Sequence, residues 1–368
     1  MEGDLGALRE EISRVDQALL ELLRRRLELS AAVGRTKAAA GLPVVVRDVE
    51  DRILARARGQ AEACGISEEA LESIFRAILR GSVERQHRVG LDARSRRGGR
   101  VLVIGGGGGM GSWCRRFLEG NGHAVEACDP VWRGLPAAEG RFAALDDLAD
   151  LDRYDAIVVS VPLRTGPEVI AELTARRPRG LVLEIASIKS HLEPALREAA
   201  AVGLRVSSLH PMFGPGKPLY EPLTFVLAAR RDPTEERGAI EPFLEHPYTR
   251  IVALPFEHHD RLMGWLLGLA HFTGLLFGRA LASSGLDAGE LRACASTTFL
   301  RQAATSRSVL SEDPDLYLDI QRLNPHRELV YQAARAALEE LVALVEAEDH
   351  AGFRELMQEA GRAVRALS

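Results

Sequence analysis

The apolar positions along the chain change their spacing twice, and the changes divide it into three parts. Between residues 5 and 40, Leu8, Ile12, Val15, Leu19, Leu22, Leu23 and Leu29 recur at three- and four-residue steps with Arg and Glu between them, which predicts one long helix. Gly41-Leu42-Pro43 breaks it. A second helix is expected over about 47–63, stopped by Cys64-Gly65. A third is expected from the capping sequence Ser67-Glu68-Glu69 to about 88. From residue 100 the pattern becomes short continuous apolar runs at 101–104, 124–127, 156–161, 181–185 and 206–209. Such runs suit strands of a parallel sheet buried on both faces. From Phe256 onward helices are expected over about 256–284, 289–306, 314–323 and 325–347, with a last one to the end. The fold class is therefore multidomain. An all-α unit covers 1–88, a linker covers 89–99 (VGLDARSRRGG), an α/β domain covers 100–255 and a second all-α domain covers 256–368.

The α/β part opens on RVLVIGGGGGMGSWCRRFLEGNGHAVEACDP, residues 100–130. After the first apolar run, Gly106, Gly108 and Gly111 fit G-x-G-x-x-G around Met110. Trp113–Leu118 then begins a helix whose N-terminal N–H groups would face an anion. Asp129 ends the second run, 23 residues after Gly106. An acid there accepts hydrogen bonds from ribose hydroxyls and repels a 2′-phosphate, which points to NAD as the cofactor over NADP. The domain is expected to be Rossmann-type, with Ser160 and Pro162, after the 156–161 run, over the cofactor.

Composition adds limits. The chain has 368 residues, a net charge of −5 and ordinary hydrophobic content, so neither overall disorder nor a nucleic-acid-binding surface is expected. The four cysteines show no C-x-x-C spacing and are expected as reduced thiols in a cytoplasmic protein, with no metal. The start, MEGDLGALREE, has no signal-peptide pattern. Leu262–Gly278 is apolar for 17 residues and interrupted by His271, which is expected as a buried helix in preference to a membrane span.

Helical geometry tests the polar residues of the first unit. Arg26 and Lys37 lie within about 20° of one face and about 16 Å apart, able to bracket a small dianion. Arg9 is about 25 Å from Arg26 and rotated by about 100°, so if both serve one site, Arg9 comes from another subunit. Ser82 and Gln86 share a face of the third helix. On spacing alone, a solvated arginine-rich face is as good an account. Three helices of such unequal length close poorly as a monomer, and a homodimer is expected.

The stretches ALREEISRVDQALLELLRRRLEL, VGRTKAAAGLPV and GSVERQ resemble the all-helical chorismate mutases. The resemblance implies that Arg9, Arg26 and Lys37 hold the substrate carboxylates and ether oxygen, and that Glu50, Ser82 and Gln86 complete the pocket. Lys37 and Gln86 would be the donors to the oxygen that gains charge in a pericyclic rearrangement. Where the family has an arginine before the glutamate, this chain has Val49; Arg47 or Arg52 would substitute, or the mutase is weakened.

The stretches VIGGGGGMG, SVP, ASIKS, HPMFGP, HHDRLMGWLLGLAHF and SEDPDLYLDIQRLNP resemble prephenate dehydrogenases. The whole chain thus resembles the bifunctional chorismate mutase–prephenate dehydrogenases of tyrosine biosynthesis. The resemblance implies that neutral His210 accepts the ring-hydroxyl proton as hydride leaves for NAD, and that Ser187 hydrogen-bonds the same hydroxyl. Lys189 would help hold cofactor or substrate, although on position it could equally be a surface lysine. His271 would lie near the substrate, and an arginine would bind its carboxylate: Arg307, with Arg301 in reserve. The C-terminal helices would form a dimerisation domain. Two alternatives stay open. The first 88 residues could be a non-catalytic dimerising or regulatory module, and the substrate could be arogenate.

Overall fold

The computed structural model describes residues 2–93, 98–136 and 138–367. The chain forms two compact units. The first is Met1–Val161, Glu168–Ile185 and Leu196–Leu254; the second is Pro162–Pro167, Ala186–Ala195 and Pro255–Ser368.

The first unit begins with three helices, α1 (Glu2–Ala39), α2 (Arg47–Arg58) and α3 (Glu68–Ala93). α1 is unbroken for 38 residues, as its periodicity requires. α2 is shorter than expected because residues 59–65 form successive turns that end at Gly65, with φ +67°. The Ser67 hydroxyl accepts the Ala70 N–H at 3.2 Å, which starts α3 as expected. α3 runs past 88 to Ala93, so the first residues expected in the linker are helical; residues 94–97 of that linker lie outside the described residues. Leu27 meets Gly81, Gly34 meets Gln86 and Ala38 meets Gly90, so α1 and α3 run in the same direction. At the middle contact the backbones touch: a Cβ on Gly34 would lie 2.8 Å from the Gln86 Cα and carbonyl oxygen.

The sheet follows, with strand order β3-β2-β1-β4-β5-β6-β7-β8. Its strands are β1 (Arg100–Ile104), β2 (Ala124–Cys128), β3 (Arg141–Phe142), β4 (Ala156–Val159), β5 (Leu181–Glu184), β6 (Val206–Pro211), β7 (Leu223–Ala229) and β8 (Thr249–Pro255). β1 to β6 pair in parallel. Val101, Leu102, Val103, Ala156 and Ile157 are wholly buried, which is why these runs are continuously apolar. β7 pairs antiparallel to β6, in register Leu209↔Leu227, His210↔Val226 and Pro211↔Phe225. Helices α4 (Gly109–Gly120), α5 (Gly166–Arg176), α6 (Glu193–Ala201) and α7 (Pro233–Leu244) alternate with the strands along the chain, and Trp113 and Phe117 on α4 pack with Phe213 and Phe225 into the core on one sheet face. Cys114 and Cys128 are buried free thiols whose pKa burial pushes up to about 12; Cys64 and Cys294 are free and exposed.

A ring cluster joins α3 to the sheet within this unit. His87 lies edge-on to His246 at 5.0 Å and faces Tyr220, while His246 also packs on Phe117. The Tyr248 N–H donates to His246 Nδ1 at 3.3 Å, which requires that nitrogen to be unprotonated.

The second unit is helical: α8 (Phe256–Met263), a π-helical turn (Gly264–Leu269), α9 (Ala270–Ala282), α10 (Ala288–Ala293), α11 (Thr297–Leu310), α12 (Pro314–Leu323), α13 (Arg327–Glu346) and α14 (His350–Arg365). The helix expected over 289–306 is two helices, because the Ser296 hydroxyl accepts the Phe299 N–H at 3.1 Å and starts a new one. Phe256–Ala282 is long and apolar enough to cross a membrane by length and composition. The expectation that it is buried does not hold within one chain: 6% of its most apolar window is buried, and Trp265, Leu266 and Leu276 are exposed.

Two outcomes follow. Gly34→Ala should force α1 and α3 apart, costing about 1–3 kcal/mol and lowering any activity that needs both helices by at least about tenfold; urea denaturation and the rate of any reaction assigned to these helices measure the two. Burial and the neighbouring His87 bring the His246 pKa down from its ordinary value to about 3. Above pH 7 this is neutral for stability. Below about 6.5 the unfolded chain takes up a proton that the folded chain refuses, so stability falls as pH drops from about 6.5 towards 3. At pH 5 this amounts to about 2 kcal/mol, and His246→Asn should lose that part of the dependence in urea titrations.

Candidate active sites

The first candidate site is built on α1, α2 and α3. The Arg26 guanidinium, half-buried on α1, donates to the Ser82 hydroxyl on α3 and to the Ile78 carbonyl at 3.5 Å. Ser82 is buried and donates in turn to the Ile78 carbonyl at 2.9 Å. Three turns beyond Arg26, the Lys37 ammonium donates to the Val44 carbonyl at 2.7 Å. Burial lowers the Lys37 pKa, and the charge of Glu50 on α2 raises it in opposition, which brings Glu50 to the same place. Gln86 stands at the closest approach of α1 and α3, and its Oε1 is buried with no hydrogen-bond partner. A buried carbonyl oxygen in that state is suited to a group that donates a hydrogen bond.

The structure thus brings together Arg26 with Ser82 and Lys37 with Glu50, on the helices whose crossing holds Gln86. Arg9 is exposed on the first turns of the same unbroken helix, about 25 Å from Arg26, and is not part of this cluster. Val49 and Arg52 are exposed on α2, and the Arg47 side chain lies outside the described residues.

The second candidate site is the glycine loop at the end of β1. Gly105 has φ +81°, and a Cβ there would lie 2.1 Å from the Ser160 carbonyl oxygen. A Cβ on Gly111 would lie 2.0 Å from the Gly105 carbonyl oxygen. Only glycine allows α4 to start so close to β1 and β4. Gly107, Gly108 and Gly109 are exposed, and the N-terminus of α4 has no side-chain cap. That combination fits a pyrophosphate. Met110 is half-buried against the core beneath. The Asp129 carboxylate accepts the Gly107 and Val131 N–H groups, each at 2.9 Å, which fixes it beside the loop at the end of β2. The residues present fit a dinucleotide.

His210 was expected just after a strand. It lies within one instead, because the antiparallel pairing with β7 extends β6 to Pro211, and it is 3% exposed. The segment that follows it is fastened to the cofactor helix: Trp113 Nε1–H donates to the Lys217 carbonyl at 2.7 Å, and Pro215 packs 3.1 Å from where a Gly109 Cβ would be. Ser160 is half-buried at the end of β4.

In the second unit, Ser187 is half-buried and Pro162 exposed. Lys189 is wholly buried, which removes the surface-lysine alternative. His271 is half-buried with its ring 4.3 Å from that of Tyr317, and burial lowers its pKa, favouring the neutral imidazole. Arg301 and Arg307 are exposed on α11 and point about 120° apart, so one ligand cannot engage both easily. Arg307 lines a groove of about 350 Å³ with Phe277, Leu281 and Ser306. Asp260 lies in the shared stretch HHDRLMGWLLGLAHF but was not among the expected site residues; it is buried beside His259 and bonded to the backbone of Lys189 and Ser190.

Three family profiles match the chain: chorismate mutase type II over residues 8–87, the prephenate dehydrogenase nucleotide-binding domain over 137–252 and the prephenate dehydrogenase dimerization domain over 255–359. The chain is also 30% identical to the T-protein of Enterobacter agglomerans over 356 residues, covering 96% of this chain and 91% of that one. It belongs to the T-protein family. The T-protein of Haemophilus influenzae is 26% identical over 347 residues, with 94% and 88% of the two chains covered. The prephenate dehydrogenase of A. aeolicus, solved with hydroxyphenyl propionate and NAD+, shares the fold: TM-score 0.60 at 18% identity, over 74% of this chain and all of that one. As a T-protein the chain carries chorismate mutase and NAD-dependent prephenate dehydrogenase in one polypeptide. Its glycine loop precedes the part matched by the nucleotide-binding profile, so the reading of that loop stands on its own geometry.

Gln86→Leu keeps the side-chain volume and removes the amide. Its expected outcome is a mutase kcat lower by about 10²–10³-fold, the scale of losing one donor to developing charge, with prephenate oxidation unchanged; both rates are measured on the full chain.

Proposed function

We propose that the residues of the first cluster rearrange chorismate to prephenate and that His210 is the base for its oxidative decarboxylation to 4-hydroxyphenylpyruvate. The observation that carries the mutase half is the joining of Arg26 to Ser82 and of Lys37 to Glu50 around the α1–α3 crossing at Gln86. The rearrangement needs no nucleophile and no proton transfer. Its barrier falls when the two carboxylates are held in a folded geometry and donors meet the ether oxygen as negative charge grows there. Arg26 holds one carboxylate, and Lys37 and Gln86 serve the ether oxygen. Glu50 and Ser82 orient these groups. Arg9 is supplied by a second copy, since an unbroken α1 keeps it far from Arg26.

In the oxidative half, NAD would supply the hydride acceptor when bound. The cofactor is held by Gly106, Gly108, Met110 and Gly111 at the uncapped start of α4, with Asp129 on the ribose and Ser160, Pro162 and Lys189 completing the cradle. His210, neutral, accepts the proton of the ring hydroxyl as the C–H bond breaks. Loss of carbon dioxide then aromatises the ring and makes the step effectively irreversible. Ser187 donates to the same hydroxyl, His271 contacts the substrate and Arg307 binds its carboxylate, ahead of Arg301. The assignments of Ser187 and His271 rest on positions in the shared motifs, and that of Arg307 on its nearness to the start of the SEDPDLYLDIQRLNP stretch. The substrate is prephenate in preference to arogenate, and parallel kinetics with the two would reverse that choice if arogenate were the faster.

The active form is a cytoplasmic homodimer. Leu8, Ile12, Leu19 and Leu22 on α1 are each more than half exposed, and the long apolar helix in the dimerization-type domain is open as well. A second copy covers surfaces of this kind.

The deciding experiment follows chorismate first without NAD and then with it. Wild type should consume chorismate without NAD and form NADH only after its addition. His210→Asn should keep the first step and lose at least about 10²-fold of the second. Untouched chorismate with normal oxidation of supplied prephenate would make residues 1–88 a dimerising module, with Val49 the first suspect. Normal oxidation by His210→Asn would remove the base assignment.

A further inference from the structure

The loop that carries Ser187 is fastened to the helical unit by one buried carboxylate. Asp260 lies on α8 and is 2% exposed. Its Oδ1 accepts the Lys189 N–H at 2.8 Å and its Oδ2 accepts the Ser190 N–H at 2.7 Å. His259, wholly buried, places Nδ1 2.7 Å from Oδ1. The Asp260 backbone is tied as well: its carbonyl accepts Asn324 Nδ2–H at 2.8 Å, and Asn324 Oδ1 accepts the His326 N–H at 2.8 Å. Two consecutive amides two and three residues beyond Ser187 are therefore held by one rigid acceptor, which is itself held from both sides. Burial pushes the Asp260 carboxyl up, but the bonds from His259, Ser190 and Lys189 outweigh it and bring the group down to about 2, so it stays ionised.

We propose that Asp260 is a positioning residue for prephenate oxidation, which acts by fixing the orientation of Ser187 through the backbone of Lys189 and Ser190. This rests on the reading of Ser187 given above. A carboxylate suits the task because its two oxygens accept both amides at once and charge-assisted bonds hold tightly. Asparagine offers one oxygen and must turn a donor towards one of the two N–H groups.

The test is a double-mutant cycle on the full-length enzyme with Ser187→Ala and Asp260→Asn. Asp260→Asn should lower kcat for prephenate oxidation on the order of 10- to 100-fold with KM for NAD unchanged. The mutase rate should be unaffected, and an unchanged circular-dichroism spectrum and melting profile should report that the helical unit carrying Asp260 is folded. In the Ser187→Ala background the second change should cost less than about threefold, because its effect passes through a group already removed. A multiplicative double mutant, or full kcat in Asp260→Asn, would overturn the proposal. Full kcat in Ser187→Ala would instead strike the reading of Ser187, and the positioning role with it. If Asp260→Asn does not fold, judged by lost helical circular dichroism or a lost melting transition, His259→Gln decides. A several-fold loss that vanishes in the Ser187→Ala background supports the role, and a full rate overturns it.

Discussion

Backbone has to reach backbone at two places in this protein, and each binding region depends on one of them. At Gly34 the absence of a side chain lets α1 lie directly on the Gln86 peptide. That contact sets how far Lys37 stands from Gln86, the two donors assigned to the mutase reaction. At Gly105 and Gly111 the same freedom brings the start of α4 onto the ends of β1 and β4. Van der Waals contact at these points is steep, so a displacement of a fraction of an ångström would be felt by every group mounted on the two elements.

The sheet uses a different economy. Its strands are buried on both faces, so their side chains serve packing, and chemistry is left to the strand ends. Asp129 follows β2, Ser160 follows β4 and His210 stands at the end of β6. The packed Trp113, Phe117, Phe213 and Phe225 rings make α4 and the segment after His210 one body, so the residue proposed as the base and the anion-binding helix share a rigid support. The His87–His246–Tyr220 cluster extends that body to α3, on the residue next to Gln86. The mutase helices and the cofactor sheet therefore share packing as well as a chain.

Much of this was legible in the residues. The switch from helical spacing to continuous apolar runs and back located the three parts, since period follows directly from backbone geometry. That Arg26, Lys37, Glu50, Ser82 and Gln86 serve one pocket was an expectation from likeness to a family, because helical spacing could not distinguish them from a solvated arginine face; the pairing of Arg26 with Ser82 was visible only in the structure. Lys189 and the break at Ser296 were less legible. A buried lysine and an exposed one look alike in sequence, and Ser296 reads as a cap only when its hydroxyl is seen to take the Phe299 N–H.

The sequence by itself determined the helical character of both ends of the chain, the continuously apolar strands β1, β2, β4, β5 and β6, the glycine loop and the family, because each depends on local spacing or on residues close together in the chain. Tertiary structure alone decided that His210 sits inside a strand, since that follows from antiparallel pairing with β7, a segment more than a dozen residues away. It alone showed that the long apolar helix is uncovered within one chain, because burial depends on what packs against a face and not on the face itself. And it alone brought Asp260 to the loop of Ser187, 73 positions earlier in the chain, where a carboxylate could meet two backbone amides that no local pattern records.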